Sequence, residues 1–173
     1  MCSQGGEIKD MKFFAKWIPF GVQVVLYFFM ATAIHEQFHN LASRTLGLDG
    51  YVKFSLWGVS YFYYAQGVAP TFTQDLIVRL AGGLGTALLF GLLWGFSHWQ
   101  GMYSEWEIDT SFIFGVITIF QVIYAMCEPL STLWAWSQLV GILFGIGLCS
   151  YLYGIKLMRW LYLIPEKSGG PNG

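Results

Sequence analysis

Four apolar runs constrain this chain more than anything else in it. They cover about residues 13–46, 76–99, 111–128 and 133–163, and each approaches or exceeds the roughly 20 residues a helix needs to cross a bilayer. The second, Leu76–Trp99, reads LIVRLAGGLGTALLFGLLWGFSHW. In hydrocarbon the backbone must satisfy its own hydrogen bonds, so runs of this kind fold as helices. The third and fourth together are too long for one span, and EPLST at 128–132 is where they break. Pro19 falls in the first turns of the first run, where proline is tolerated.

Composition agrees. Hydrophobic residues make up 55% of the 173 and charged residues 11%, against about 25% charged in a soluble domain. The sequence therefore predicts one all-α polytopic membrane domain over 1–173, with about four transmembrane helices embedded in a lipid bilayer. Net charge is −1 with the basic residues scattered, which argues against a nucleic-acid partner. Cys2, Cys127 and Cys149 are odd in number and lack zinc-ribbon spacing, so no disulfide framework is expected. No small-residue cleavage site follows the first apolar run, which reads as a retained helix.

Between the first two runs lies a membrane-face loop, 47–75. Its segment YVKFSLWGVSYFYYAQGVAP, 51–70, is rich in aromatic and β-branched residues and predicts a short strand or hairpin. QGMYSEWEIDTS, 100–111, reads as a polar, acidic loop, and 165–173 as a flexible tail. Lys9, Lys12, Lys16, Lys156, Arg159 and Lys167 would share one side, against Arg44, Lys53 and Arg79 on the other. Six against three favours cytoplasmic termini and puts the 47–75 loop outside.

The first run ends in HEQFH, 35–39. On a helix, His35 and His39 are offset by about 40° and project from one face. Two imidazoles so placed can bind one zinc ion, while Glu36, turned about 100° from His35, can act as a general base without being a ligand. The alternative is that the three polar residues simply sit at the membrane interface, where Asn40, Ser43 and Arg44 follow. Counted from Phe20, His35 lies about 23 Å along the helix, past the middle of the bilayer. A buried polar triad there is expensive without partners.

A catalytic zinc keeps one position open and needs a third protein ligand. Glu128 is the favoured candidate, because an apolar helix carries it to the side of the 47–75 loop and Pro129 follows it. Asp49, Asp75 and Cys127 are the alternatives, and Glu128 also reads as a solvated acid between two spans. His98 lies near the far end of the second run and Asp109 on the other side. The stretch RLAGGLGTALLFG, with Gly82, Gly83, Gly85 and Thr86, reads first as a close helix-packing face and second as a place where a substrate backbone could approach. Such faces also offer surfaces for homo- or hetero-oligomers. Gln121 and Gln138 read as interhelical hydrogen-bond partners, and Arg79 as a snorkelling side chain.

HEQFHNLASRTLG, together with LAGGLGTALL, resembles the site-2 protease family of intramembrane zinc metalloproteases. The likeness covers Ile34 to Leu89. It implies zinc, a three-helix catalytic core and a membrane-protein or peptide substrate cut in or beside a transmembrane segment. His35 and His39 would be ligands, Glu36 the base, and Gly82, Gly83 and Thr86 substrate-binding. The strand segment would present substrate as an extended chain. Gly83 stands where the family has proline and Thr86 where it has asparagine. The family's L-D-G ligand segment is missing, because LDG at 48–50 precedes the second run, and Glu128 would take that role. The family's catalytic side usually faces the cytoplasm, opposite to the charge count. The rival expectation is a non-proteolytic membrane subunit that keeps the fold and acts through helix–helix or metal binding.

Overall fold

The structure, a computed structural model, describes residues 4–54, 60–100, 104–129 and 134–160. The 165–173 tail lies outside them, as do residues 55–59 of the expected strand segment. In chain order the elements are α1 (Gln4–Thr45), β1 (Gly50–Phe54), β2 (Ser60–Tyr64), α2 (Phe72–Gln100), α3 (Glu105–Cys127) and α4 (Trp134–Trp160). Among the described residues, three helical stretches are long and apolar enough to cross a membrane: Trp17–Thr45, Phe72–Gln100 and Trp106–Cys127. A shorter apolar stretch, Gln138–Tyr153, lies within α4.

Three boundaries differ from the sequence reading. The helix α1 begins at Gln4, so Pro19 lies in its interior and not in its first turns. Apolar helices tolerate this, because neighbours and local adjustment satisfy the freed carbonyl. The acidic segment read as a loop over 100–111 is helical from Glu105. There the Ser104 hydroxyl accepts from the Glu107 N–H at 3.2 Å, and the Glu107 carboxylate accepts from the Ser104 N–H at 2.8 Å. This reciprocal cap ends the helix cleanly, and the acids around it suit its positive end. The start of α2 uses Thr71 and Gln74 in the same way, which moves it to Phe72. At its other end, α1 stops at Gly47, whose φ of 72° few side chains accept. The Leu48 N–H to Ser43 carbonyl bond closes the turn.

The chain packs helix on helix in sequence order, with α1 also meeting α3. The two run in the same direction: Tyr27 meets Phe114, and further along His35 meets Tyr124. Ala31, Phe90, Ile113 and Ile117 form the buried centre. The α2 glycines bring the helices close. A Cβ on Gly83 would stand 2.9 Å from both the Ala125 Cα and the Gln121 carbonyl, and one on Gly85 would enter the Phe38 ring. Gly141, Gly145, Cys149 and Tyr153 repeat every four residues and seat α4 on α3, while Leu139, Leu143, Phe144 and Leu152 stay exposed. This is the packing face expected of such glycines.

The two strands pair antiparallel, with Val52 opposite Phe62 and Tyr51 opposite Tyr63. The Ala65 N–H donates to the Asp49 carbonyl at 2.9 Å, which continues the ladder and makes Tyr51–Tyr63 a hydrogen-bonded pair. By alternation, the Phe62 N–H points away from β1, on the outer edge of β2. Phe62 and Tyr64 turn inward, whereas Tyr51, Tyr61 and Tyr63 are exposed. Tyr64 ties the sheet to α2 by donating to Asp75 Oδ1 at 3.1 Å. Burial, then that bond, push its phenol up to about 12, so it remains a donor at neutral pH.

Candidate metal centre

Three elements converge beside the sheet. α1 contributes His35 and His39, both buried, and α3 contributes Glu128 at its C-terminal cap. The histidine Nε2 atoms are 2.9 Å apart, and Glu128 oxygens lie 3.6 Å from that of His35 and 3.3 Å from that of His39. Among the described residues, these are the three side chains grouped closely enough to share a metal ion. Four ligands set tetrahedrally at about 2.0–2.1 Å would stand roughly 3.3 Å apart, and the observed separations straddle that value.

The opposite ring nitrogens fix the protonation. His39 Nδ1 lies 2.6 Å from the Val78 carbonyl, which can only accept, so Nδ1 carries the proton. His35 Nδ1 lies 3.0 Å from Gln121 Oε1 and donates likewise. Both Nε2 atoms then present lone pairs to one another and to a carboxylate. Glu128 Oε2 is buried with no hydrogen-bond partner among the described residues. Three convergent acceptors repel unless a cation lies between them. Without a metal the arrangement needs an added proton, either a second one on an imidazole or one on the Glu128 carboxyl. The C-terminal end of α3, with its partial negative charge, points the same way. The donor set of two imidazoles and one carboxylate therefore fits zinc, and each imidazole has the outer partner that metal-bound histidines use.

Close packing builds this geometry. Gly82, on α2, lies under both rings: a Cβ there would stand 2.8 Å from His35 Nε2 and closer still to the His39 ring. Val78, whose carbonyl holds His39, is one turn earlier on the same helix. Tyr124 packs edge-on against His35, with ring centroids 5.2 Å apart. Phe62 lies over His39 at 6.0 Å, and its outward N–H hydrogen-bonds the Glu36 carboxylate. Glu36 is thus held beside the cluster without belonging to it.

The other candidates lie elsewhere. Asp75 accepts from Tyr64 and pairs with Arg79 at 2.6 Å, so Arg79 is an ion-pair partner where the sequence suggested a snorkelling cation. Asp49 joins the ladder through its carbonyl. Cys127 is a free thiol outside the three-residue cluster. His98 lies 16 residues along α2 from Gly82, about 24 Å away, beside Trp94, Ser111 and Tyr153. Gly83 is occupied by packing against α3, and the buried Thr86 hydroxyl donates to the Gly82 carbonyl at 2.8 Å.

Sequence reasoning missed the roles of Val78, Phe62 and Tyr124. It read Gln121 as an interhelical partner, and the added detail is that its partner is a candidate ligand. The signal was present, since Gln121 and Glu128 are seven apart and share a face of α3. Replacing Gln121 with Leu is expected to weaken zinc binding about 10–100-fold while the helical circular dichroism is retained, measured by titration against a competing chelator. Comparison with protein-family models, with characterised proteins and with solved structures finds no match for this chain.

Proposed function

We propose that this chain is an intramembrane zinc endopeptidase, of the kind its HEQFH segment resembles, hydrolysing peptide bonds in or next to transmembrane segments. One observation carries the reading: two buried imidazoles, each with Nδ1 tied to an acceptor, aim Nε2 at one carboxylate, with Glu36 alongside. Three long apolar helices support a place in the bilayer. Zinc, when bound by His35, His39 and Glu128, supplies Lewis acidity that polarises a carbonyl and brings the pKa of water to about 7.

The chain's own groups do the rest. As a water oxygen adds to the scissile carbonyl carbon, Glu36 takes its proton. As the C–N bond breaks, Glu36 returns that proton to the nitrogen, leaving an acid and an amine. Phe62 holds Glu36 in place from the sheet. The outer edge of β2, which carries that N–H, offers an extended substrate a backbone to lie along. A helical substrate must first unwind locally, which small and helix-breaking residues favour.

A second reading has a specific observation behind it. A doubly protonated imidazole would also explain the 2.9 Å nitrogen pair, with Glu128 as its counter-ion, in a non-proteolytic subunit that keeps the fold. Metal analysis of the purified protein separates the two. The protease reading expects one zinc per chain, lost in His35→Ala and His39→Ala and bound at least about 100-fold more weakly in Glu128→Gln. Protein that stays metal-free after incubation with zinc would overturn the protease reading and favour the second.

A further inference from the structure

Asn40 follows His39 and lies one turn beyond Glu36, about 40° further round α1. This is the side of the helix that meets the sheet. Glu36 receives the Phe62 N–H there, and the Ser43 hydroxyl donates to the Leu48 carbonyl at 2.8 Å. Further round, Leu41 is exposed. Asn40 thus stands at the boundary between the sheet and the open face of α1, on the ledge that Glu36 begins.

Its Oδ1 is buried and has no hydrogen-bond partner among the described residues. An orphaned acceptor of this kind is destabilising, and folded proteins retain few. The comparable orphan beside the metal centre, Glu128 Oε2, has its explanation in a shared cation. Gln23 and Thr110, the other described residues with orphaned atoms, lie towards the far end of α1 and near the start of α3. The donors shown around the cluster are used elsewhere, the Phe62 N–H by Glu36 and His39 Nδ1 by the Val78 carbonyl. No described residue supplies a donor to Asn40 Oδ1, and a peptide lying beside Glu36 would bring one.

We propose that Asn40 is a substrate-positioning residue whose Oδ1 accepts a backbone N–H from the peptide lying beside Glu36. This rests on the protease reading. An extended peptide crossing the ledge presents N–H groups at alternate positions along each edge, spaced to meet a fixed acceptor one helical turn from the base. A bond at Asn40 would fix the register of the scissile amide against Glu36 without touching the reacting atoms.

The test uses the zinc-loaded, full-length protein in detergent and short apolar peptides ending in a hydroxamate, which anchors them at the metal. One series carries an N-methyl group at each amide in turn. Asn40→Ala is expected to bind the parent peptide about tenfold more weakly and to melt at the same temperature or higher, because an unsatisfied acceptor has been removed. One N-methylated peptide is expected to lose the same factor on the wild type and nothing further on Asn40→Ala. A structural role for Asn40 would lower the melting temperature and leave that coupling at zero. Equal binding by both proteins, or no amide whose methylation is coupled to Asn40, overturns the inference and leaves the protease reading intact if the wild type cuts its substrate. A wild type that holds no zinc and cuts nothing overturns both.

Discussion

Glu36→Gln is expected to hold one zinc per chain and to cut a membrane substrate at least about 1,000-fold more slowly than the wild type. The amide is nearly isosteric with the carboxylate and can keep an oxygen towards the Phe62 N–H, so the sheet retains its seat. Glu36 is not among the three side chains that share the cluster, so metal content gives no reason to change. What the amide lacks is a basic oxygen to take the proton of the attacking water. General-base catalysis contributes about 10²–10⁴ in rate, and this base also returns the proton to the amine, so the upper part of that range applies. The measurement pairs zinc by mass spectrometry with cleavage of a reconstituted single-span substrate. Wild-type turnover in this variant would remove Glu36 from the mechanism. Loss of zinc would instead make Glu36 a ligand and overturn the assignment of Glu128. Glu36→Asp offers a graded check, because it keeps the base and draws it back by one methylene.

Much of this site could be read from local pattern. The offset of His35 and His39 is a property of the helix, and HEQFH fixes it without any tertiary information. The apolar runs gave the four helices for the same reason, and the aromatic and β-branched residues of 51–70 gave the strands. Two of the misplaced boundaries, the starts of α2 and α3, fell where a cap competes with composition. Glu105, Glu107 and Asp109 looked like loop because they are acidic, yet acids at the start of a helix stabilise it. Tertiary relations were less accessible. Glu128 could be favoured because an apolar helix carries it to the side of the 47–75 loop and Pro129 follows it, but Asp49 and Asp75 flank that same loop. Only the packed structure shows Asp75 engaged by Tyr64 and Arg79. The Val78 carbonyl has no signature in sequence at all, since every residue carries one.

Gly82 connects packing to chemistry and carries the second large effect. Gly82→Ala changes no ligand and no charge, and alanine is the better helix former by about 1 kcal/mol. On helix propensity alone it would stabilise α2. The added Cβ, however, would stand 2.8 Å from His35 Nε2 and would overlap the His39 ring. Neither ring can simply retreat. His39 is held at Nδ1 by the Val78 carbonyl and His35 by Gln121, so relief requires breaking those bonds or moving α2 away from α1. α2 is itself held, because Gly83 already packs against Ala125 and the Gln121 carbonyl on α3. Zinc affinity is therefore expected to fall about 10–100-fold, with overpacking that costs about 1–3 kcal/mol of stability. Gly95→Ala, on the same helix, supplies the control, because a Cβ there meets nothing within 4 Å. It should keep zinc and melt at or above the wild-type temperature. Full zinc affinity in Gly82→Ala would mean that the two rings do not rest on α2 when the metal is bound. Equal loss in both variants would trace the effect to α2 as a helix and not to the ground beneath His35 and His39.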